Sequence, residues 1–211
     1  MAALLTPLRM LRPLLWLVVA MWAAHVLNIS LEGELTRTLG LVPRTLGGLD
    51  GIVAMPFLHG NWEHLSANTG PLLVLGSLIV LLARDRFVAV TIGCVVLCGV
   101  LTWLFARQNN HIGASGLVFA WFAFLVAWGV IERSWRALLG AAVALVLYGA
   151  PTWLGIVGTD ERVSWDGHLA GLVAGGLVAW RVPHRRASVS GKRRRNARSR
   201  LPRPQPWHNS S

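Results

Sequence analysis

The stretch Gly113-Ala114-Ser115-Gly116-Leu117-Val118-Phe119 opens an apolar run that continues to Ile131. It puts a serine hydroxyl at the start of a segment that is long and apolar enough to lie in a bilayer. Polar groups are costly in hydrocarbon, and those that occur there usually line a cavity and have a function. Two further apolar runs begin with polar side chains, one with His64 and Asn68 and the other with His168. The pattern therefore predicts a site built where three helices begin.

The composition indicates a polytopic membrane protein. Of the 211 residues, 54% are hydrophobic and 14% are charged, which is too little charge to cover the surface of a soluble domain of this size. Six apolar segments predict an all-α bundle of six transmembrane helices, over residues 14–29, 62–83, 87–106, 115–131, 137–155 and 167–182. Residues 1–183 form the predicted core.

The polar segments flanking these helices predict how the chain lies in the membrane. Residues 30–58 mix leucine with arginine and glycine, which favours a long, partly helical interfacial loop. Residues 184–211 are basic and nearly free of apolar residues, so we expect a disordered tail. Its arginines suit anionic lipid headgroups better than nucleic acid.

The basic residues predict the orientation. With the N-terminus in the cytoplasm, 16 of the 20 Lys and Arg residues lie inside and seven of the nine acidic residues lie outside. We therefore predict that both termini are cytoplasmic. A cleaved signal peptide is the alternative for the first segment, but Trp16, Trp22 and the absence of a small-x-small exit favour a retained helix.

In this orientation the second, fourth and sixth helices all enter from the extracytoplasmic side, so their polar residues share one layer. Ser115 is a candidate nucleophile and His168 its candidate base, because histidine is the usual activator of serine near neutral pH. Gly167 and Gly171 indicate close helix packing beside His168. With Asp166 pointing elsewhere on the helix, we expect a dyad, with Phe119 stacked on the imidazole.

His64 and Asn68 are four residues apart and face one cleft, where they and the Ser115 N–H could stabilise an oxyanion. Hydrogen bonding between helices is the alternative for this pair. We expect His59 to have a structural role at the water boundary.

We interpret the remaining histidines and cysteines of the predicted core as structural residues. We expect His25 and His111 to be interfacial. Cys94 and Cys98 are expected to be core residues, because two ligands alone make a poor metal site.

These residues resemble the signatures of the rhomboid family of intramembrane serine proteases. The stretches similar to its HxxxxHxxxN, GxSG and AHxxG motifs are His59–Asn68, Gly113–Gly116 and Gly167–Gly171. The sequence departs from the family in three ways: Gly51-Ile52 replaces a common Trp-Arg pair, Phe119 replaces a common tyrosine, and Gly167 replaces alanine.

The resemblance implies a six-helix rhomboid-like bundle in the cell membrane, with a water-filled cavity on the extracytoplasmic side. It implies that Ser115 is the nucleophile and His168 the general base, with His64, Asn68 and the Ser115 backbone as the oxyanion hole. The implied substrates are transmembrane segments of other proteins, cut near small residues, with no cofactor or metal. A rhomboid-like pseudoprotease is the main alternative. A transporter would instead spread polar residues across the membrane's depth.

Overall fold

The computed structural model describes residues 2–157 and 164–182; the predicted tail 184–211 lies outside them. The helices in the described residues are α1 (Ala2–Ser30), α2 (Glu34–Thr38), α3 (Gly51–Ala54), α4 (Trp62–Ala83), α5 (Phe87–Phe105), α6 (Ser115–Glu132), α7 (Trp135–Val157) and α8 (Trp165–Arg181). Short 3-10 turns cover Leu46–Gly48, Met55–Phe57 and Arg84–Arg86. The described residues are therefore all-α, as the apolar segments predict.

Contacts at the helix ends fix the direction of the long helices. Gly113, just before α6, lies against the His64 ring in the first turn of α4, and Gly116 lies near the Gly167 carbonyl in the first turn of α8. The late part of α5 reaches the same place, because Cys98 Sγ lies against Gly116. The last turns of α1 and α7 also reach this end of the bundle. Helices α4, α6 and α8 therefore begin where α1, α5 and α7 end.

Four helical segments in the described residues are long and apolar enough to cross a membrane: residues 10–30, 62–105, 115–132 and 135–157. The second segment contains both α4 and α5, joined through the turn Arg84–Arg86, while α8 has only 17 residues. Helix length and apolar composition therefore do not by themselves establish the predicted six spans. Large apolar side chains cover the outside of the bundle, including Trp16 and Val146, which are 69% and 83% exposed. Such a surface suits lipid rather than water.

Glycines let α6 and α8 approach until their backbones touch. A side chain at Gly171 would overlap the carbonyl of Gly116, and one at Gly175 would overlap the carbonyl of Ala120. In lipid, helix association depends on van der Waals contact and hydrogen bonds, so small residues at the interface hold the two helices together. This contact fixes His168 on α8 relative to the start of α6.

The segment between α1 and α4 contains α2, α3 and two of the 3-10 turns; its interfacial location stays a prediction. It supplies backbone partners to the loop that precedes α6. Leu41 and His111 exchange two hydrogen bonds, N to O, of 3.1 and 2.8 Å, and the Gly113 N–H donates to the Met55 carbonyl at 2.9 Å. The Asn110 side chain adds a bond of 2.7 Å to the Thr36 carbonyl. The loop before Ser115 is therefore fixed by hydrogen bonds to the segment between α1 and α4.

Candidate active site

The four side chains predicted to carry the chemistry line one cavity of about 700 Å³. Ser115, His64, Asn68 and His168 all contribute to its wall, together with Phe119. Each belongs to the first two turns of α4, α6 or α8, which begin at the same end of the bundle. The cavity has the size typical of ligand sites. A hydroxyl, an imidazole and hydrogen-bond donors therefore share one space.

Ser115 opens α6, and its surroundings leave its polar groups available. The preceding Ala114 offers no side-chain cap, so the first N–H groups of α6 have no intrahelical partner and carry the positive end of the helix dipole. The Ser115 hydroxyl forms no hydrogen bond to His168 within the described residues. The residue after Ser115 and the residue before His168 lie close together, however, because a Cβ at Gly116 would lie 3.6 Å from the Gly167 carbonyl. Catalytic hydrogen bonds often tighten only when substrate binds, so an unbonded Ser115–His168 pair does not exclude a catalytic role.

His168 is held by two contacts, and the first of them defines which ring nitrogen carries the proton. Its Nδ1 lies 2.9 Å from the Gly155 carbonyl, and because a carbonyl only accepts, Nδ1 must carry the proton. In the neutral ring Nε2 is then unprotonated and can act as a base. Phe119 stacks on the imidazole with ring centroids 4.0 Å apart and planes 12° apart, as its spacing from Ser115 predicts. The Gly155 carbonyl takes the orienting position that a carboxylate has in a triad.

The Gly155 contact was missed by sequence reasoning, although a signal for it exists. The last carbonyls of a helix lack intrahelical partners, and Gly155 lies in the last turn of α7. A glycine there admits the neighbouring rings, since a Cβ would lie 2.6 Å from Phe119 Cζ and 3.2 Å from His168 Nδ1. A glycine near a predicted helix end is therefore a candidate contact for a histidine on a neighbouring helix.

His64 and Asn68 converge on Gly113, two residues before Ser115. A Cβ at Gly113 would lie 2.6 Å from His64 Nε2 and 3.7 Å from Asn68 Nδ2, and the φ angle of +108° also favours glycine there. One Asn68 N–H donates to the His64 carbonyl in the same helix, at 2.9 Å. The alternative role, hydrogen bonding between helices, requires a bond from these side chains to another helix. Among the described residues neither side chain forms one. Both can therefore direct N–H groups into the cavity.

Three further histidines differ from their predicted surroundings. His59 is fully buried rather than at the water boundary, and its ring lies 5.0 Å from the His64 ring. Burial, with a smaller contribution from charge on His64, lowers the pKa of His59 to about 4. His25 is buried and its Nδ1 donates to the His59 carbonyl at 3.1 Å. His111 is buried and bonds to Ser164. Sequence reasoning did not predict these polar partners, which neighbouring loops supply, and the interfacial location of His25 and His111 stays a prediction.

A second serine–histidine contact lies at the rim of the same cavity. Ser164 Oγ is 2.7 Å from His111 Nδ1, but it also caps α8 by accepting from the Gly167 N–H at 3.3 Å and lies 3.1 Å from Asp166 Oδ1. A side chain at Gly167 would lie 2.6 Å from Ser164 Oγ, which explains glycine in place of alanine. Because this oxygen already serves in helix capping, Ser164 is a poorer nucleophile candidate than Ser115.

The departure at Gly51 and Ile52 also has a packing reason. A side chain at Gly51 would overlap the backbone of Leu41, and Ile52 lies against Gly99 of α5, where a Cβ would be 2.8 Å from Ile52 Cα. The place where many rhomboids have a Trp-Arg pair is filled here by close backbone packing.

Comparison with known proteins identifies the family. The Rhomboid domain matches residues 47–185. The chain belongs to the rhomboid family. An uncharacterized protein of Mycobacterium tuberculosis is 40% identical over 184 residues, which cover 82% of this chain and 75% of the relative. An uncharacterized protein of Mycobacterium leprae is 42% identical over 139 residues, or 62% and 55% of the two chains.

A plant protein extends the similarity beyond mycobacteria. Rhomboid-like protein 11, chloroplastic, of Arabidopsis thaliana is 27% identical over 148 residues, covering 61% of this chain and 50% of the relative. The rhomboid domain and the apolar helices together describe a multi-pass membrane protein.

Proposed function

We propose that this rhomboid is an intramembrane serine endopeptidase in which Ser115 is the nucleophile and His168 the general base. The observation that carries the proposal is the His168 tautomer: the Gly155 carbonyl holds the proton on Nδ1 and leaves Nε2 free in the cavity that Ser115 lines. His168 takes the hydroxyl proton as Ser115 Oγ attacks the peptide carbonyl, and returns it to the leaving amine. Water then hydrolyses the acyl-enzyme, with His168 again acting as base.

The developing oxyanion needs donors that are already in position. His64 Nε2 and Asn68 Nδ2 converge beside Gly113, and this convergence supports the role of donor for both. The Ser115 N–H would add a third donor at the positive end of α6. A role as structural hydrogen bonds alone is the less favoured interpretation, because the two side chains face the cavity.

We propose that all six long helices cross the cell membrane, and their alternating direction supports this. With the arginine distribution, the site then opens on the extracytoplasmic side and both termini lie in the cytoplasm. Its substrates would be transmembrane segments of other proteins, which reach the cavity from the bilayer. No cofactor enters this scheme. Binding of the tail to anionic lipid stays a prediction.

A second candidate function is a rhomboid-like protein that binds membrane helices without cutting them. The observation that favours it is the missing hydrogen bond between Ser115 and His168. The position of His168 favours the protease, because its Nε2 is left free in a cavity that Ser115, His64 and Asn68 also line.

The test is cleavage of a model transmembrane substrate by the purified protein in liposomes, with fluorophosphonate labelling in parallel. We expect Ser115→Ala to abolish both and His168→Ala to abolish labelling of Ser115. Ser66→Ala is the matched control, because Ser66 is exposed on α4 and outside the cavity. Cleavage by Ser115→Ala at the wild-type rate would exclude the assigned nucleophile. Substrate binding without cleavage or labelling by the wild-type protein would favour the second function.

A further inference from the structure

Four polar residues, two of which line the cavity, form a network that the proposed dyad does not use. His111 Nε2 lies 3.0 Å from the Arg107 carbonyl, and its Nδ1 lies 2.7 Å from Ser164 Oγ. Ser164 Oγ lies 3.1 Å from Asp166 Oδ1, while Asp166 Oδ2 accepts from the Arg107 backbone N–H and Nε at 2.8 and 3.1 Å. We call Arg107, His111, Ser164 and Asp166 the rim network. It closes a ring between the loop before α6 and the start of α8.

The contacts of the rim network limit which of its atoms can donate and which can accept hydrogen bonds. The Arg107 carbonyl can only accept, so His111 Nε2 must carry a proton. If Nδ1 carries none, Ser164 donates to it, and the Ser164 and Asp166 oxygens are left facing each other as acceptors. If Nδ1 also carries a proton, His111 donates to Ser164 and Ser164 donates to the Asp166 carboxylate, so each contact has one donor and one acceptor. In either state the Ser164 hydroxyl connects the His111 ring to Asp166, and Asp166 Oδ1 also accepts from the Gly167 N–H at 3.1 Å.

The rim network joins the two chain segments that carry the proposed dyad. His111 precedes Ser115 by four residues, and its backbone is fixed to Leu41. Ser164 precedes His168 by four residues, and its carbonyl accepts from the His168 N–H at 3.0 Å. Ser164 and His111 also line the cavity. A shift of the first turn of α8 relative to the loop would therefore break the Ser164–His111 contact and move the base away from the nucleophile.

We propose that His111 and Ser164 are positioning residues that lock the first turn of α8 to the nucleophile loop, and so set the distance between Ser115 and His168. This proposal rests on the proposed function for its effect on rate, but the lock itself is a property of the fold. The salt bridge between Arg107 and Asp166 supports the ring from its outer side. Close packing of α6 on α8 sets the distance between the two helices. The rim network sets the position of the first turn of α8 relative to the loop before α6.

Two substitutions at His111 separate the contact with Ser164 from the rest of the ring. In His111→Asn the amide lies near the position of Nδ1 and keeps a bond to Ser164. In His111→Gln the amide lies near the position of Nε2 and keeps the bond to the Arg107 carbonyl only. Both variants leave the Ser164 cap of α8 intact. Gln108→Ala is the control, because it removes a bond of the same loop to the Pro43 carbonyl, outside the ring.

The measurements are amide hydrogen exchange of residues 164–171 and steady-state cleavage by the full chain in liposomes. We expect His111→Gln to exchange faster at the Gly167 and His168 amides and to lose roughly 10- to 100-fold in kcat with KM unchanged. His111→Asn should restore slow exchange and most of the rate, and Gln108→Ala should leave exchange in α8 unchanged. Equal exchange and equal kcat in the two His111 variants would overturn the proposal.

The exchange measurement keeps this proposal distinct from the proposed function. If the wild-type protein neither cleaves nor reacts with fluorophosphonate, the protease assignment fails, while faster exchange in His111→Gln still demonstrates the lock. If cleavage is normal and exchange does not depend on His111, the lock fails and the protease assignment stands.

Discussion

Replacement of Gly155 by alanine tests whether contact with α7 sets the position of the catalytic base. The new methyl group would lie 2.6 Å from Phe119 Cζ and 3.2 Å from His168 Nδ1. Carbon atoms pack at about 3.5–4.0 Å, so the Phe119 ring must move by about 1 Å. Because that ring stacks on the imidazole, His168 must move with it. The carbonyl that orients Nδ1 is still present, so the variant changes position and leaves the tautomer unchanged.

A misplacement of about 1 Å can cost about 100-fold in rate, and we expect a loss of that size in kcat for Gly155→Ala. The assay is cleavage of a model transmembrane substrate in liposomes at saturating substrate. Gly149→Ala is the control on the same helix, because a Cβ there meets no atom within 4 Å. Both variants gain helix propensity of up to about 1 kcal/mol, so helix propensity does not explain a difference between them. Equal kcat values in two folded variants would refute the reasoning.

Two further predictions concern the donors and the buried histidines. Asn68→Ala should lower kcat by about 10²–10³-fold with little change in KM, because one oxyanion donor is lost; a change confined to KM would contradict this role. Because the pKa of His59 is lowered to about 4 in the folded protein, the unfolded chain takes up the proton first as the pH falls below about 6.5. Stability should therefore decrease between pH 6.5 and 4, by at most about 3 kcal/mol. Unfolding measured across this range should show a smaller pH dependence in His59→Gln, and an unchanged profile would contradict the assignment.

The helices could be predicted from sequence because apolar length and helix-end residues are local signals. The predicted ranges 62–83, 87–106 and 115–131 agree with α4, α5 and α6 to within one residue at each end. The start of α1 differs, since the helix begins at Ala2 and continues through Pro13. A proline costs a helix one backbone hydrogen bond, and the prediction gave that cost too much weight.

The shared cavity could be predicted because the depth of a polar residue in a helix follows from its distance to the helix start. The partners of His168 and His111 could not, because Gly155 and Ser164 lie 13 and 53 residues away in the chain. Loop residues pair according to three-dimensional packing, and neither periodicity nor spacing carries that information. The buried position of His25 was missed for the same reason.

The bonds between Leu41 and His111, and between Thr36 and Asn110, also bear on protein production. The Rhomboid domain begins at residue 47, so both upstream partners lie outside it. A recombinant fragment trimmed to that boundary would leave the loop before Ser115 without these bonds. Expression and crystallisation trials should therefore retain the chain from a point upstream of α2.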